Sequence, residues 1–196
     1  NKAANTMRVG YLKSLFEDEY GNRAFDQQTL KTLQKLGIDP VEVKLPEGYP
    51  MAAMRNILSV EAAAAFDELT RTNADSLLVR QVRFAWPNVF RQARFVPAVE
   101  YVQANRFRAQ MAQEVEELLS KFDAVITPSY GGDQLTVTNL TGHPCVVVPN
   151  GFTEEGTPVS ISFIGPFMGE ASLLRLADAY QQVTTFDDVH PEMFVQ

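Results

Sequence analysis

The first 45 residues change from strand-like to helix-like and back to strand-like spacing of apolar side chains. Residues 7–12 form a short apolar run that is typical of a buried strand. Residues 25–36 place Phe and Leu at helical spacing, with Asp26 as the candidate N-cap and Gly37 where a C-terminal capping glycine is expected. Residues 41–45 alternate between apolar and polar side chains. The pattern predicts a strand–helix–strand unit whose strands pair in parallel.

The rest of the chain continues to mix the two periods. Helical spacing covers residues 51–69, 97–121 and 170–182, with a short helix at 135–140, and strand-like runs cover residues 122–128, 145–149 and 159–164. The consecutive valines Val146, Val147 and Val148 favour a sheet that is covered on both faces. Residues 77–90 are ambiguous, because Trp86-Pro87 interrupts them. We therefore predict the α/β class, with a mixed, mostly parallel sheet of about five strands flanked by helices.

The organisation along the chain predicts one domain. No internal repeat and no low-complexity linker divides the 196 residues, so we expect a single α/β unit over residues 1–196 with a tail over residues 183–196. The first residue, Asn1, is not an initiator methionine. We expect that the chain begins part-way through a longer protein or has been processed.

Composition and charge exclude several classes of partner. Lys and Arg number 17 and Asp and Glu number 24, which gives a net charge of −7. An acidic surface repels phosphate backbones, so we expect no direct binding to nucleic acid. No apolar run approaches the ~20 residues of a membrane span, and we expect no membrane partner. Cys145 is the one cysteine and is expected to be a small buried hydrophobic residue.

Candidate chemistry within the chain is incomplete. Ser129 follows a predicted strand, with Asp133 and His143 nearby, so a Ser–His–Asp set is conceivable. The alternative is a turn serine, a turn aspartate and a loop histidine, and the Gly-x-Ser-x-Gly elbow of many hydrolases is absent. Two histidines that are distant in sequence and one cysteine do not form a metal-binding pattern. We expect no metal, no cofactor and no catalytic residue in this chain.

Four segments, in a fixed order, resemble one protein family. They are residues 101–108 (YVQANRFR), 122–128 (FDAVITP), 138–151 (TNLTGHPCVVVPNG) and 156–165 (GTPVSISFIG). They match the order Tyr-x-x-Ala-x-x-x-Arg, Phe-Asp-x-x-x-x-Pro, Asn-x-x-Gly-x-Pro and Pro-x-x-x-x-x-x-Gly. The chain is similar in this respect to the C-terminal portion of the amidase-signature enzymes, which implies the C-terminal part of their fold. The resemblance is good over residues 101–182 and loose over residues 70–95.

The resemblance implies a mechanism whose reactive groups lie elsewhere. Enzymes of this family use a Ser–Ser–Lys triad, in which the lysine deprotonates a bridging serine that activates the nucleophilic serine. The triad and its Gly/Ser-rich loop are N-terminal in the family, and no such loop occurs in this sequence. The resemblance therefore implies that this chain supplies scaffold and part of the wall of a substrate pocket.

Three residues are implied as candidate substrate contacts. In the tRNA-amidotransferase branch of the family, an acidic residue shortly before the Asn-x-x-Gly-x-Pro segment contacts the amino group of the substrate, and Asp133 lies nearest to that position. Thr138 and Asn139 are candidates for the same cavity. The alternative is local: a turn aspartate bonded to nearby backbone, and a threonine and asparagine that cap or bond within a helix.

The function implied by the resemblance is that of an amidase-type hydrolase acting on the carbon–nitrogen bond of an amide. The parent protein is then an enzyme, and this chain alone is inactive. One alternative is the A subunit of a glutamine-dependent tRNA amidotransferase, although the acidic charge and residues 86–94 favour an amidase. Another alternative is a non-catalytic domain that binds a small molecule or a partner.

The partners expected on this hypothesis are the N-terminal part of the same protein and a small amide substrate. Since the sheet of the family is shared between the two halves of the protein, we also expect self-association through an exposed sheet surface. A cytoplasmic location is expected, with export if an upstream segment carries a signal peptide.

Overall fold

The computed structural model describes residues 3–190 and divides the chain into two compact units. The sheet unit comprises Asn1–Glu47 and Ala112–Gln196, and the helical unit comprises Gly48–Met111. The single unit expected over residues 1–196 stays a prediction. Of the expected tail over residues 183–196, residues 183–184 belong to a helix and residues 191–196 lie outside the described part of the chain.

The elements of the chain follow one another in this order. The first part contains β1 (Val9–Tyr11), α1 (Lys13–Glu17), α2 (Arg23–Lys35) and β2 (Val41–Glu42). The middle contains α3 (Met51–Met54), α4 (Asn56–Ala65), α5 (Asp67–Arg71), α6 (Trp86–Ala93) and α7 (Ala98–Leu119). The last part contains β3 (Ala124–Pro128), α8 (Gln134–Thr141), β4 (Cys145–Phe152), β5 (Pro158–Ile164) and α9 (Glu170–Thr184). Short 3₁₀ turns occur at Ala4–Thr6, Ala74–Leu77 and Phe186–Asp188.

The sheet contains five strands among the described residues, in the order β2-β1-β3-β5-β4. Strands β2, β1 and β3 are mutually parallel, whereas β5 is antiparallel to β3 and β4 is antiparallel to β5. The mixed sheet flanked by helices is therefore confirmed, and so is the parallel pairing of β1 with β2. The antiparallel part arises because a short hairpin joins β4 to β5.

The core of the sheet unit lies between the sheet and helices α2 and α9. Fully buried residues on the central strands include Ile126 and Phe163, and they pack in one cluster with Leu33, Leu173 and Tyr180 of the two helices. The rings of Phe163 and Tyr180 meet edge to face with centroids 6.1 Å apart. Burial of large apolar side chains on this scale is the main source of stability for such a unit.

Local details differ from the prediction at three places in the sheet unit. Asp26 is not an N-cap, because α2 begins three residues earlier and places Asp26 on its buried face. The sheet is not covered on both faces along β4, which is an edge strand on which Val147 is 57% exposed and Val148 only 3%. Cys145, at the start of the same edge strand, is exposed rather than buried. Gly37 does follow α2 with φ +78°, as expected of a capping glycine.

The helical unit is less regular than its sequence pattern. The helix expected over residues 51–69 is divided into α3, α4 and α5, with breaks at Arg55 and Phe66. The ambiguous Trp86-Pro87 pair begins a helix instead of interrupting one, since proline is well accommodated in a first turn. The ring of Phe90 stacks on Phe66 and Trp86, with centroids 5.5 and 5.6 Å away.

Among the described residues, none of the helices combines the length and the apolar character needed to cross a membrane.

Candidate functional site

A cavity opens at the edge of the sheet where the parallel strands β1 and β3 end. The chain leaves β1 toward β2 on one side and leaves β3 toward β5 and β4 on the other side. In open α/β sheets, such a reversal separates the two connections and leaves a crevice outside the carboxyl ends of the strands. Because β5 is antiparallel to β3, its first residues lie at the same edge.

The cavity has a volume of about 500 Å³ and is lined by two loops and the start of β5. One loop, residues 18–22, follows β1 and α1, and the other, residues 128–132, follows β3. The second loop turns at Gly132, where φ is +51° and an added Cβ would lie 3.0 Å from the side chain of Leu15. Glycine is favoured at this position because the conformation is left-handed and an added Cβ would press on the Leu15 side chain.

Three serine hydroxyls meet beside the second loop. The Ser160 and Ser162 hydroxyls donate to Ser129 Oγ over 3.1 and 3.0 Å, and Ser129 Oγ donates to the carbonyl of Ser160 over 3.0 Å. Ser129 and Ser160 line the cavity, while Ser162 is buried behind them. We call these three residues the serine cluster.

The opposite wall of the cavity carries carboxylates. Asp18 and Glu19 are exposed at its mouth, and Glu19 pairs with Arg23. Asp26 is 2% exposed at the inner end, where it accepts hydrogen bonds from Tyr20 Oη over 2.9 Å and from Asn150 Nδ2 over 2.7 Å.

Burial and hydrogen bonding act in opposite directions on the Asp26 carboxyl. Burial raises the pKa of Asp26 above its ordinary value, and the hydrogen bonds from Asn150 and Tyr20 oppose that rise. Burial and the neighbouring Asp26 also raise the pKa of the Tyr20 phenol, so Tyr20 stays protonated and keeps its donor role. The wall therefore combines acidic groups with neutral donors.

Two of the three predicted substrate contacts lie on α8, which follows the second loop, and the third directly precedes that helix. Asp133 is exposed directly before α8, and the lining of the cavity includes Gly131 and Gly132 but none of the three predicted residues. Thr138 is buried and its hydroxyl donates to the carbonyl of Gln134 over 3.3 Å. Asn139 Nδ2 donates to the carbonyl of Leu135 over 2.7 Å. These bonds agree with the local alternative, and a substrate-binding role for the three residues stays a prediction.

The conceivable Ser129–His143–Asp133 set is not assembled, because His143 has other partners. Its Nδ1 lies 2.7 Å from Thr141 Oγ1 and its Nε2 lies 3.1 Å from Glu116 Oε2, while Phe167 stacks on the ring at 4.1 Å. Burial lowers the pKa of His143, although Glu116 opposes that shift. His143 thus ties α7, α8 and the segment after β5 together, in agreement with the loop-histidine alternative.

The arrangement can bind a polar ligand, but no lysine or histidine stands in its described lining to activate a serine. The cavity lining in the described part of the chain contains no lysine, arginine or histidine. Without an adjacent base, a serine hydroxyl is a weak nucleophile at neutral pH. No group of three or more His, Cys, Asp or Glu side chains suited to a metal ion occurs within residues 3–190.

The serine cluster and the Tyr20–Asp26 wall were missed by the sequence analysis. Ser160 and Ser162 are two residues apart on a strand, a spacing that puts both side chains on one face and could have indicated the cluster. No sequence signal links Tyr20 or Asn150 to Asp26. The Asn150 contact depends on the packing of α2 against β4, and the Tyr20 contact depends on the conformation of the loop before α2.

Comparison with known proteins places this geometry in a fold family. No protein-family model matches the chain. The chain is 29% identical to the A subunit of the glutamyl-tRNA(Gln) amidotransferase of Listeria innocua, over 84% of this chain and 42% of that protein. It superimposes with a TM-score of 0.74 on the peptide amidase from Stenotrophomonas maltophilia, at 21% identity over 93% of this chain and 44% of that one.

A bacterial aryl acylamidase of the amidase-signature family matches equally well, with a TM-score of 0.74 at 13% identity over 93% of this chain and 44% of that one. The chain therefore has the fold of amidase-signature enzymes, and the resemblance recognised in the sequence is confirmed. The chain spans less than half the length of the curated relatives it matches.

Proposed function

We propose that this chain is the C-terminal portion of an amidase-type hydrolase and supplies scaffold and one wall of the substrate pocket. The single observation that carries the proposal is the cavity at the carboxyl ends of β1 and β3, whose described lining offers hydroxyls and carboxylates but no lysine, arginine or histidine. A Ser–Ser–Lys triad in polypeptide N-terminal to this chain would supply the nucleophile. On its own the chain is inactive, because it can position an amide but cannot cleave it.

The comparisons support this proposal for the part of the similar proteins that this chain matches. The structurally similar proteins named above are a peptide amidase and an aryl acylamidase, and each is more than twice as long as the matched part. We propose a small amide as the substrate, with the N-terminal part of the same protein as the principal partner and a cytoplasmic location. Asp133, Thr138 and Asn139 remain proposed substrate contacts, although none of them belongs to the described lining of this cavity.

A second candidate, the A subunit of a tRNA amidotransferase, is favoured by the sequence relatives. The proteins of that name from Listeria innocua and Thermodesulfovibrio yellowstonii are 29% and 27% identical to this chain, whereas the structurally similar amidases are at 21% or below. The net charge of −7 favours the simple amidase, since it disfavours direct contact with tRNA by this chain.

Self-association of the isolated chain is a separate part of the proposal. Strand β4 is an edge strand in the described sheet, and Val146 and Val147 are not fully covered along it. An uncovered edge with exposed valines favours pairing with another strand. Size-exclusion chromatography is expected to show dimers or larger species, and a stable monomer at high concentration would contradict this part alone.

The test of the amidase proposal compares two proteins. Ammonia release from small primary amides is measured with the 196-residue chain and with the product of its complete reading frame. We expect no turnover by the isolated chain and hydrolysis by the complete product. The complete product is also tested for transfer of ammonia from glutamine to glutamyl-tRNA with partner subunits, which identifies the second candidate.

Two outcomes would overturn the proposal. Turnover by the isolated chain, lost in the Ser129→Ala variant, would show that the serine cluster is itself reactive. A complete product that binds amides without hydrolysing them would favour the non-catalytic binding domain instead.

A further inference from the structure

The helical unit contains a cavity of its own. It lies between α3, α4, the segment at residues 95–97 and the first turns of α7, so that all of its lining residues belong to Gly48–Met111. Its volume is about 300 Å³, at the lower end of the range for small-molecule sites. None of the site residues proposed above lines it.

The floor of this cavity is apolar and fixed. Met54 is fully buried and Ile57 is 2% exposed, and both belong to the adjacent short helices α3 and α4. Val60 and Val96 line the walls and are half-buried. A half-open surface of this kind leaves apolar area in contact with water that a ligand could cover.

Two features favour a pocket that stays open. Pro50 precedes α3 and Pro97 precedes α7, and both line the cavity, so the backbone is restricted on two sides. Tyr101 is held on the rim by a hydrogen bond from its hydroxyl to Glu61 Oε1 over 3.0 Å. The two prolines and this hydrogen bond therefore hold part of the rim in place.

The charge of the lining indicates which ligand charge the cavity accepts. Glu100 is the ionisable acid of the lining, Asn56 and Gln103 add neutral polar groups, and the described lining contains no lysine or arginine. A carboxylate or phosphate would meet Glu100 without a compensating cation, so an anionic ligand is disfavoured. A neutral molecule with one apolar group fits both the floor and the rim.

We infer that this cavity binds the aryl or short alkyl group of a neutral small molecule, with Met54 and Ile57 as its floor and Asn56 and Gln103 at its rim. A volume of 300 Å³ accommodates one ring and a short chain, which is the size of a small-molecule group of this kind. The inference concerns binding by this chain and does not depend on the proposed function.

The test uses ligand-observed NMR with the intact 196-residue chain and two neutral probes, N-benzylacetamide and acetamide. We expect N-benzylacetamide to bind at least about tenfold more tightly, since the two differ in the benzyl group that the floor would cover. Ammonia and benzylamine release is measured in the same samples, so that binding and turnover are scored separately.

Matched variants locate the binding. Ala104 lines the cavity on α7, so Ala104→Phe should fill it and weaken N-benzylacetamide binding at least about tenfold. Ala109 is exposed on the same helix and does not line the cavity, so Ala109→Phe should leave the affinity unchanged. An amide NMR spectrum of each variant verifies folding.

The inference is wrong if both probes bind equally weakly, or if both variants weaken N-benzylacetamide binding to the same degree. It is also wrong if binding disappears as the protein concentration rises while larger species form, since a second copy of the chain would then occupy the cavity.

Discussion

The sheet unit and the helical unit each bury an aspartate, but they provide it with different partners. Asp26 of the sheet unit accepts hydrogen bonds from the neutral groups of Tyr20 and Asn150. Asp75 of the helical unit is completely buried, and its Oδ2 lies 2.6 Å from a guanidinium nitrogen of Arg91. The buried carboxyl of the sheet unit is thus stabilised by neutral hydrogen-bond donors, whereas that of the helical unit is stabilised by a positively charged guanidinium group.

The packing of the two units explains this difference. The sheet unit has a continuous apolar core that extends from its helices to the central strands. The helical unit is smaller, yet most of the exposed large hydrophobic side chains belong to it, and one of its buried clusters consists of Ala63, Phe90 and Ala93. A unit that leaves so much apolar surface exposed depends more on specific polar contacts for its stability.

The largest predicted effect contrasts one phenylalanine in each unit. Phe163 is fully buried in the sheet unit, so Phe163→Ala should lower the free energy of unfolding by about 4 kcal/mol through lost burial and a residual cavity. Phe84 is 83% exposed in the helical unit, and Phe84→Ala should change the free energy by less than about 0.5 kcal/mol. Urea unfolding monitored by circular dichroism measures both. Equal losses would contradict the contrast in packing.

The next effect concerns the charge that accompanies Asp75. Replacing Arg91 with Met leaves a buried carboxylate without its cation and should cost about 2–3 kcal/mol, somewhat less than for a fully buried pair because Arg91 is partly exposed. Arg94→Met is the matched control, because the Arg94–Asp67 pair is accessible to water and should contribute less than about 1 kcal/mol. Chemical unfolding followed by Trp86 fluorescence reports the helical unit directly. Similar losses in the two variants would show that the burial of Asp75 does not increase the contribution of its ion pair to stability.

The sequence predicted the sheet unit better than the helical unit, for a physical reason. Strands such as Ala124–Pro128 are apolar over most of their length, and helix α9 has one continuous apolar face, so local patterns and final burial agree. In the helical unit, Phe84 and Val79 are apolar in sequence but exposed in the structure. Local periodicity does not predict where a helix ends, and residues 51–69 follow one helical period in sequence yet form three helices.

The candidate site was less predictable than the fold. The parallel pairing of β1 with β2 could be predicted from the strand–helix–strand pattern. The end of β3 at Pro128 could be predicted from the proline itself. The contact of Ser129 with Ser162 spans 33 residues and depends on the register of β3 with β5. Register between strands that are far apart in sequence is not encoded in local spacing.

A smaller effect is expected when the neutral donor of the sheet unit is removed. Tyr20→Phe deletes the hydroxyl that donates to Asp26 Oδ2 but leaves the bond from Asn150, so the loss should be about 1–1.5 kcal/mol. The loss should be below that of Arg91→Met, because Asp26 keeps a partner while Asp75 loses its cation. Tyr20→Phe and Arg91→Met are each unfolded with urea under identical conditions at about pH 7. A larger loss for Tyr20→Phe would reverse the comparison of the two buried aspartates.

The smallest effect is a pH dependence that belongs to Asp26. Because burial raises the pKa of Asp26 above its unfolded value of 3.8, the folded protein holds a proton over a pH range in which the unfolded chain has lost it. Stability from this group is therefore fully present below about pH 3.8 and declines as the pH rises through the raised pKa. Asp26→Asn cannot ionise, so its stability relative to the unmodified protein should increase over that pH range and then become constant.

Asp26→Asn is suited to this measurement because the site can accept an amide. The Asn150 Oδ1 atom has no hydrogen-bond partner among the described residues, so rotation of the Asn150 amide can present an acceptor to the new side-chain NH₂ group. Tyr20 can still donate to the remaining oxygen. Urea midpoints of the two proteins are compared from the most acidic pH at which both fold up to about pH 7, so that the contributions of all other groups cancel. A difference that stays constant with pH would show that the hydrogen bonds of Asp26 fully offset its burial, and that neutral donors serve the sheet unit as well as a cation serves the helical unit.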